Sequence, residues 1–412
     1  MLVCAVLLGT SPQRDLRAQT ASKYTAALRD DQVHNREIIV QLDSSVSARS
    51  SSAVLDNAAG VKRVSTVSLS YGDLQVVRVP DGQDYMVALQ ALESDPRVVS
   101  VGPNVRKQVT ALKGASALLA NDPRFLNGAA TPTLALQLPT VRDSQWGLLL
   151  TGAQEAWETT TGNADVIVAV IDTGVNFQQS DMNGRWWTNK NETPGNSVDD
   201  DGNGFVDDYR GYDFYTYNGT SGGDADPTDE SASSGDLSHG LATSSIIGAR
   251  IHNNIGMAGV AGGTTSSNGV RIMPLRVGTD NDIPVIAEIA AIDYAIQNGA
   301  KVISMSFGGV TGGQPEEDAI DRAWAAGVLP FAAAGNAGAG NGGGDLDAID
   351  LPAGFDNCIC VGATTIFDSQ GISPATDLVP ETVAGYSKRG PEMDLAGPGT
   401  HIIAAMFNTN EY

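Results

Sequence analysis

From Glu37 to Val101, short apolar runs alternate with polar breaks. They predict a strand (EIIVQL), a weak helix (Ala48 to Ala59), a strand (VSTVSL), a turn at Tyr71-Gly72-Asp73 and a strand (LQVVRV). A helix (Tyr85 to Ser94) and, after Asp95-Pro96, a last strand (VVSV) complete the order β-α-β-β-α-β. That order is the ferredoxin-like α+β arrangement, which closes on about seventy residues. Ala111 to Thr140 is rich in Ala, Asn, Gly, Thr and Pro with no sustained period, and reads as a linker.

Beyond the linker the texture changes. Continuous apolar runs stand at Val166 to Ile171, Val270 to Val277, Val302 to Met305, Val328 to Ala334 and Cys358 to Val361, with helical patterns between them. Runs apolar on both faces, alternating with helices, predict a doubly wound, mainly parallel α/β sheet. In Pro284 to Asn298, Ile286, Ile289, Ile292 and Ile296 recur at helical steps, with Asp282 as candidate N-cap and Gly299 as the stop. Pro315 to Ala326 opens on Pro and carries Glu316, Glu317 and Asp318 in its first turn, where the helix dipole favours negative charge.

Composition narrows the function. The chain has 412 residues, 42% hydrophobic and 18% charged, enough for two folded units and linkers. A net charge of -23 excludes a phosphate-backbone partner, because nucleic-acid affinity comes from Lys and Arg displacing counterions. Arg36 to Lys107 is close to neutral, so the acidity lies mostly after Pro139. Leu2 to Leu8 is apolar but far too short to span a membrane. With no basic residues ahead of it, it reads as the remnant of a signal peptide or a misassigned start. Secretion is the expectation, with no membrane partner. Cys358 and Cys360 stand two apart, on one face of a strand, as small core residues.

Asp172 ends a fully apolar run and is followed by Thr173-Gly174. The carboxyl ends of parallel strands form the ligand crevice, so a carboxylate there is placed for chemistry, or else caps the following turn. His239 opens a small-residue helical segment, Gly240 to Ala249; a lone histidine there is more often a capping or exposed residue. Asn336 in FAAAGNAG is an oxyanion donor or a left-handed turn residue. Asp199-Asp200-Asp201-Gly202-Asn203-Gly204 with Asp207 and Asp208 offers oxygens at alternate positions, as calcium loops do. Arg210 stands where a full loop has its twelfth-position Glu, so an acidic solvated turn is the alternative.

Taken together, Asp172-Thr173-Gly174, His239-Gly240, NNIGMAGVA, SMSFGG, AAAGNAG and LAGPGT resemble, in order and spacing, the successive blocks of subtilisin-like serine proteases, the subtilases. The resemblance runs from Gln145 to about Met406, and Glu37 to Lys107 is similar to the family's inhibitory propeptide. It implies a subtilisin-like catalytic domain over 141–412, a propeptide domain over 36–107, a linker over 108–140 and a signal remnant over 1–20. It further implies a secreted, monomeric zymogen that hydrolyses protein and peptide substrates, with its own propeptide as intramolecular inhibitor.

By the same resemblance Asp172 orients His239, the general base and then acid, and Asn336 donates to the oxyanion. Ser306, Phe307, Gly308, Gly309, Ala333 and Gly335 would wall the primary specificity pocket, and Phe307 suggests apolar preference. Gly278 to Ile283 would be the edge strand that pairs with substrate. Asp199, Asp201, Asn203, Asp207 and Asp208 would hold one structural Ca²⁺.

Two departures matter. Leu241 and Ala242 replace the usual Thr and second His after the catalytic histidine. The Gly-Thr-Ser-x-Ala-x-Pro block that bears the nucleophile is missing. The one Gly-Thr-Ser, Gly219 to Ser221, lies in a polar loop without a following apolar helix and is rejected as the nucleophile. The expectation is therefore a fragment, inactive alone, of an active protease. A non-catalytic peptide-binding pseudoprotease is the rival.

Overall fold

The computed structural model describes residues 33–44, 46, 55, 59–109, 145–216, 222–232, 238–264, 267–337, 345–367 and 378–407. The signal-like segment 1–20, most of the helix from Ala48 to Ala59, residues 110–140 of the linker and Gly219 to Ser221 lie outside these.

The first unit comprises β1 (Val33–Leu42), β2 (Lys62–Leu69), β3 (Gly72–Arg78), α1 (Tyr85–Glu93) and β4 (Val98–Val109), in the sheet order β4-β1-β3-β2, all neighbours antiparallel. Asp84 caps α1 by accepting from the Val87 amide at 3.1 Å. The continuous apolar run in β1 has a structural reason, since both of its faces are covered. Ile38 and Val40 join Val77, Val79, Leu89 and Leu92 in the unit's own core, while Ile39, Leu74 and Val76 face the second unit.

The second unit is a seven-strand path in the order β13-β12-β11-β9-β5-β7-β6. These are β5 (Ile167–Asp172), β6 (Tyr212–Asp213), β7 (Arg271–Arg276), β9 (Val302–Met305), β11 (Leu329–Ala333), β12 (Ile359–Phe367) and β13 (Leu378–Val383). All pairs are parallel except β12 with β13, and β14 (Leu395–Pro398) also pairs with β12 in parallel. The sheet carries helices on both faces. Val168, Val170 and Ile272 pack towards α4 (His239–Gly248), whereas Ala169, Ile171 and Leu275 pack towards α5 (Val285–Gln297) and α6 (Gln314–Ala325). Two short helices, α2 (Trp146–Leu150) and α3 (Ala153–Trp157), precede the sheet. Cys358 and Cys360 are buried in the shared core, and burial pushes the Cys360 thiol up to about 12.

The cap of α5 differs from the sequence reading. Pro284 is its N-cap, because Ile283–Pro284 forms a short strand, β8, that pairs with β4; Asp282 instead accepts from the Tyr215 hydroxyl at 3.0 Å. The strand β4 also runs on through Val109, past the boundary read at Lys107.

The two units meet along α5, α6 and the tail of β4. Ser70 donates its amide (3.0 Å) and hydroxyl (2.5 Å) to Asp293, and the Arg322 guanidinium stacks 3.3 Å from the Tyr71 ring centroid. Gly102 lies so close to α6 that an added Cβ would stand 2.9 Å from the Gly313 Cα and 3.1 Å from the Pro315 Cδ. Gly102→Ala should therefore wedge the units apart at a cost of about 1–3 kcal/mol. Thermal melting should show a lower midpoint, and hydrogen exchange should rise along β4 before it rises in β5. An unchanged melt would mean that the contact yields without cost.

Candidate active site

Parallel pairing sets the strand ends flush. Ile171 pairs with Met305, and Met305 with Ala332, so Asp172, Ser306 and Ala333 each stand one residue past a shared register line. Asp172 is buried at 1% exposure at the carboxyl end of β5. His239 is the first residue of α4, and its Nδ1 lies 2.8 Å from Asp172 Oδ1. Because a carboxylate can only accept, Nδ1 is assigned the proton.

Asp172 is itself held. Oδ1 accepts from the Thr173 amide at 2.7 Å, and Oδ2 from the Thr243 hydroxyl at 3.3 Å. Thr243 sits one turn after His239 on the same helix face, the only signal by which sequence could have found it. Asp229 accepts from the hydroxyls of Thr173 (3.1 Å) and Ser238 (2.7 Å), tying the strand end to the helix start. Its position 57 residues after Asp172 carries no sequence cue. Gly240 is obligatory here, since an added Cβ would lie 2.3 Å from the Gly174 carbonyl oxygen. Leu241 and Ala242, the two departures in sequence, are simply buried, Leu241 in the core beneath α4.

Asn336 follows β11 and forms an isolated antiparallel bridge with Ser387; the left-handed residue of its turn is Gly335, at φ 98°. The left-handed reading of Asn336 is thereby removed. Ser306, Gly308, Gly309, Ala333 and Gly335 line the same strand ends, over an ion pair between Asp350 and Lys388 at 2.8 Å. Phe307 borders the cleft with its backbone, which pairs with Val109, and with its ring, which packs into the shared core and lies 5.6 Å from the Lys107 ammonium of the β4 tail.

The cleft between β8 and the short strand β10 (Phe307–Gly308) is filled by the tail of β4. Arg106 and Lys107 pair antiparallel with Pro284 and Ile283 on one side, Gln108 and Val109 with Gly308 and Phe307 on the other. The Lys107 ammonium, with no exposure, donates to Glu288 at 2.7 Å and to Glu316, and lies 5.6 Å from the Phe307 ring centroid. Burial pushes both carboxyls up against the pull of Lys107, Glu316 to about 8. Burial alone would lower Lys107, but its two carboxylate partners outweigh that and leave it raised.

A second acidic group lies away from the cleft. Glu192, Asp201 and Asp208 bring ligand oxygens within 4.8 Å of one another. Of the four aspartates read as calcium ligands in this loop, Asp201 and Asp208 converge with Glu192. Asp199 instead accepts from the amides of Gly202, Asn203 and Gly204, and Asp207 from those of Asn196 and Ser197. Asn203 gives its side-chain amide to Asp208 at 2.8 Å. Glu192, which sequence reasoning missed, accepts from the Asp200 and Asp201 amides through Oε1, and its Oε2 is buried with no partner. Burial raises the carboxyls of Glu192 and Asp208.

The sequence pattern described as the Subtilase family matches residues 163–412. The chain belongs to the subtilase family. It is 28% identical over 372 residues to a thermophilic serine proteinase of Bacillus sp. (strain AK1), covering 90% of this chain and 71% of that protein. It is 30% identical over 269 residues to halolysin of Haloferax mediterranei, covering 65% of this chain and 41% of that protein. Among solved structures, fervidolysin from Fervidobacterium pennivorans, a keratinolytic enzyme related to subtilisin, superposes with a TM-score of 0.60 at 21% identity over 90% of this chain and 48% of its own. This subtilase chain thus spans less than half of the halolysin and fervidolysin chains. No helix among the described residues is long and apolar enough to cross a membrane.

The buried trio gives a pH prediction. Glu316 titrates near 4.5 when unfolded and near 8 when folded, so between these values the folded chain binds more protons. The stability that Glu316 contributes is present in full below about 4.5 and is lost as pH rises towards 8. Glu316 faces Lys107, Glu288 and Glu317, and Asp350 and Cys358 also feel Lys107. Melting temperatures across this window should drop more steeply in the native chain than in Glu316→Gln. Parallel curves would mean that Glu316 is ionised throughout.

Proposed function

We propose that this subtilase is a serine endopeptidase made as a secreted zymogen. The observation that carries the reading is the Asp172–His239 pair at flush strand ends, beside a cleft whose two edges already hold an extended strand. With Nδ1–H held by Asp172, the basic lone pair of the imidazole lies on Nε2. That nitrogen takes the proton of a serine hydroxyl as it attacks the scissile carbonyl and returns it to the leaving amine. Asp172, fixed by Thr173 and Thr243, stabilises the imidazolium without taking its proton. Asn336 donates its side-chain amide to the tetrahedral oxyanion. These 412 residues do not contain the Gly-Thr-Ser-x-Ala block that bears the family's serine, and the activity is proposed for a protein that carries it.

The N-terminal unit is read as an inhibitory propeptide, because the tail of β4 pairs with β8 and β10 as a bound peptide would. Self-cleavage beyond Val109, followed by dissociation, frees the cleft. Secretion accords with the relative from Natrialba magadii described as an extracellular serine protease. The Glu192, Asp201 and Asp208 group suits a hard cation such as Ca²⁺: the donors are oxygens, and one buried oxygen of Glu192 lacks a partner. A bound Ca²⁺ would neutralise these carboxylates and fasten the 192–208 loop to Tyr294, whose hydroxyl donates to Asp208 at 2.6 Å.

Expressed with its serine segment and freed of its propeptide, the protein should cleave a peptide substrate. Asp172→Asn should cut kcat by about 10⁴-fold, as loss of that aspartate does in related triads, and Asn336→Ala by about 10²–10³-fold. Steady-state kinetics of the two variants decide the assignment; retained turnover in Asp172→Asn would overturn it. For the metal, saturating calcium should raise the melting temperature of the native chain and leave Glu192→Gln almost unmoved, a stabilisation of about 2.7 kcal/mol at a hundred times Kd. Equal shifts in both would place the ion elsewhere.

A further inference from the structure

We infer that the cleft contains a subsite for a lysine side chain, formed by Glu288 and Glu316, which selects a cationic residue on the amino-terminal side of the scissile bond. The inference rests on reading β8 and β10 as the walls of a peptide cleft. Its occupant is already visible: Lys107 enters between the two carboxylates from a strand paired on both edges.

Register fixes the position. Val109 pairs with Phe307, so the next residue of any strand laid in this way meets Ser306, which stands one past the Ile171–Met305 pair beside Asp172. In a strand so laid, the position that Lys107 occupies precedes by three the position that faces Ser306. A peptide bound in this register puts its own side chain between Glu288 and Glu316.

The chemistry at that point demands a cation. Both carboxylates lie in the first turns of their helices, α5 and α6, where the backbone dipoles favour negative charge. Both are fully buried, and Glu288 Oε1 and Glu316 Oε2 have no hydrogen-bond partner. An apolar side chain in this slot would leave the buried carboxyl oxygens of Glu288 and Glu316 without a donor, and an acidic one would add a third carboxyl to them. A slender ammonium with three donors reaches both, with the Phe307 ring face at 5.6 Å as a further attraction. If docking of the N-terminal unit were the only requirement, an apolar side chain in an apolar slot would serve it without charge.

The test uses the full-length, serine-bearing protein after release of its propeptide. Peptides identical except for Lys, Met or Glu three residues ahead of the cleaved position are compared by kcat/KM. The Lys peptide should exceed the Met peptide by about a hundredfold or more, since sites built around buried polar groups reject analogues that leave them unpaired. Glu288→Gln with Glu316→Gln should reduce that ratio to within about threefold. Equal rates for Lys and Met in the native enzyme would overturn the subsite while leaving the protease standing. If no peptide is cleaved, the proposed function fails, and hydrogen exchange in the 412-residue chain still decides the subsite. Lys107→Met should exchange the amides of residues 105–109 at least about tenfold faster, with β5 and α4 unchanged. Undiminished protection in that variant would overturn the subsite.

Discussion

The structure depends on the in-register parallel pairing of β5, β9 and β11. The hydrogen bonds that join Ile171 to Met305 and Met305 to Ala332 determine where each strand stops, and the stops fall on one line. A shift of one residue in any of these strands would turn its apolar side chains from one covered face to the other and carry Asp172, Ser306 or Ala333 off that line. Because helices cover both faces of the sheet, the register is specified twice over, by Val168 and Val170 against α4 and by Ala169 and Ile171 against α5 and α6. The Asp172–His239 distance follows from this frame plus one close approach, that of Gly240 to Gly174.

The cleft reflects a second constraint. β8 and β10 are each two residues long, and both pair with the tail of β4. Short edges limit unwanted pairing, yet these two face each other across a gap that accepts a single strand. In this chain the tail of β4 fills the gap, and its backbone groups pair on both sides. Side-chain chemistry adds selectivity to this sequence-tolerant pairing. Glu288 and Glu316 are costly to bury, and Lys107 offsets that cost only while the strand is in place.

Much of this was legible in sequence. Asp172 and His239 stood out because a fully apolar strand and a small-residue helix bracket them, and the doubly wound sheet followed from runs such as Val166 to Ile171 that lack alternation. The helix read from Ala48 to Ala59 lies mostly outside the described residues; the four strands and the second helix of the first unit could be read from period and turn signals. Interactions that close through space could not. Thr243 and Asp229 hold the pair through hydroxyl and carboxylate contacts set by tertiary packing. Glu192 joins Asp201 and Asp208 only because the intervening turn is folded by Asp199 and Asp207, the residues that sequence had put forward as ligands. Phe307 lies between the two cases: sequence places it beside the cleft, and its ring both packs into the shared core and meets the Lys107 ammonium that fills the cleft.

Under the proposed reading of the N-terminal unit as an inhibitor, the Lys107 slot gives the reason a tail paired like a peptide would hold its place. While covalently attached, the strand competes at an effective concentration that for a short tether reaches millimolar, so no free peptide of ordinary affinity displaces it. Once the chain is cut beyond Val109, that advantage disappears and what remains is the affinity of the contacts themselves. Lys107 is then matched against any peptide bearing a lysine in the same register, on equal electrostatic terms. A rise in pH sharpens the balance: as Glu316 loses its raised-pKa proton, the slot becomes more negative, and its preference for a cation over a neutral side chain grows. The carboxylates that fasten the N-terminal unit in place are therefore also the groups through which a lysine-bearing substrate would replace it.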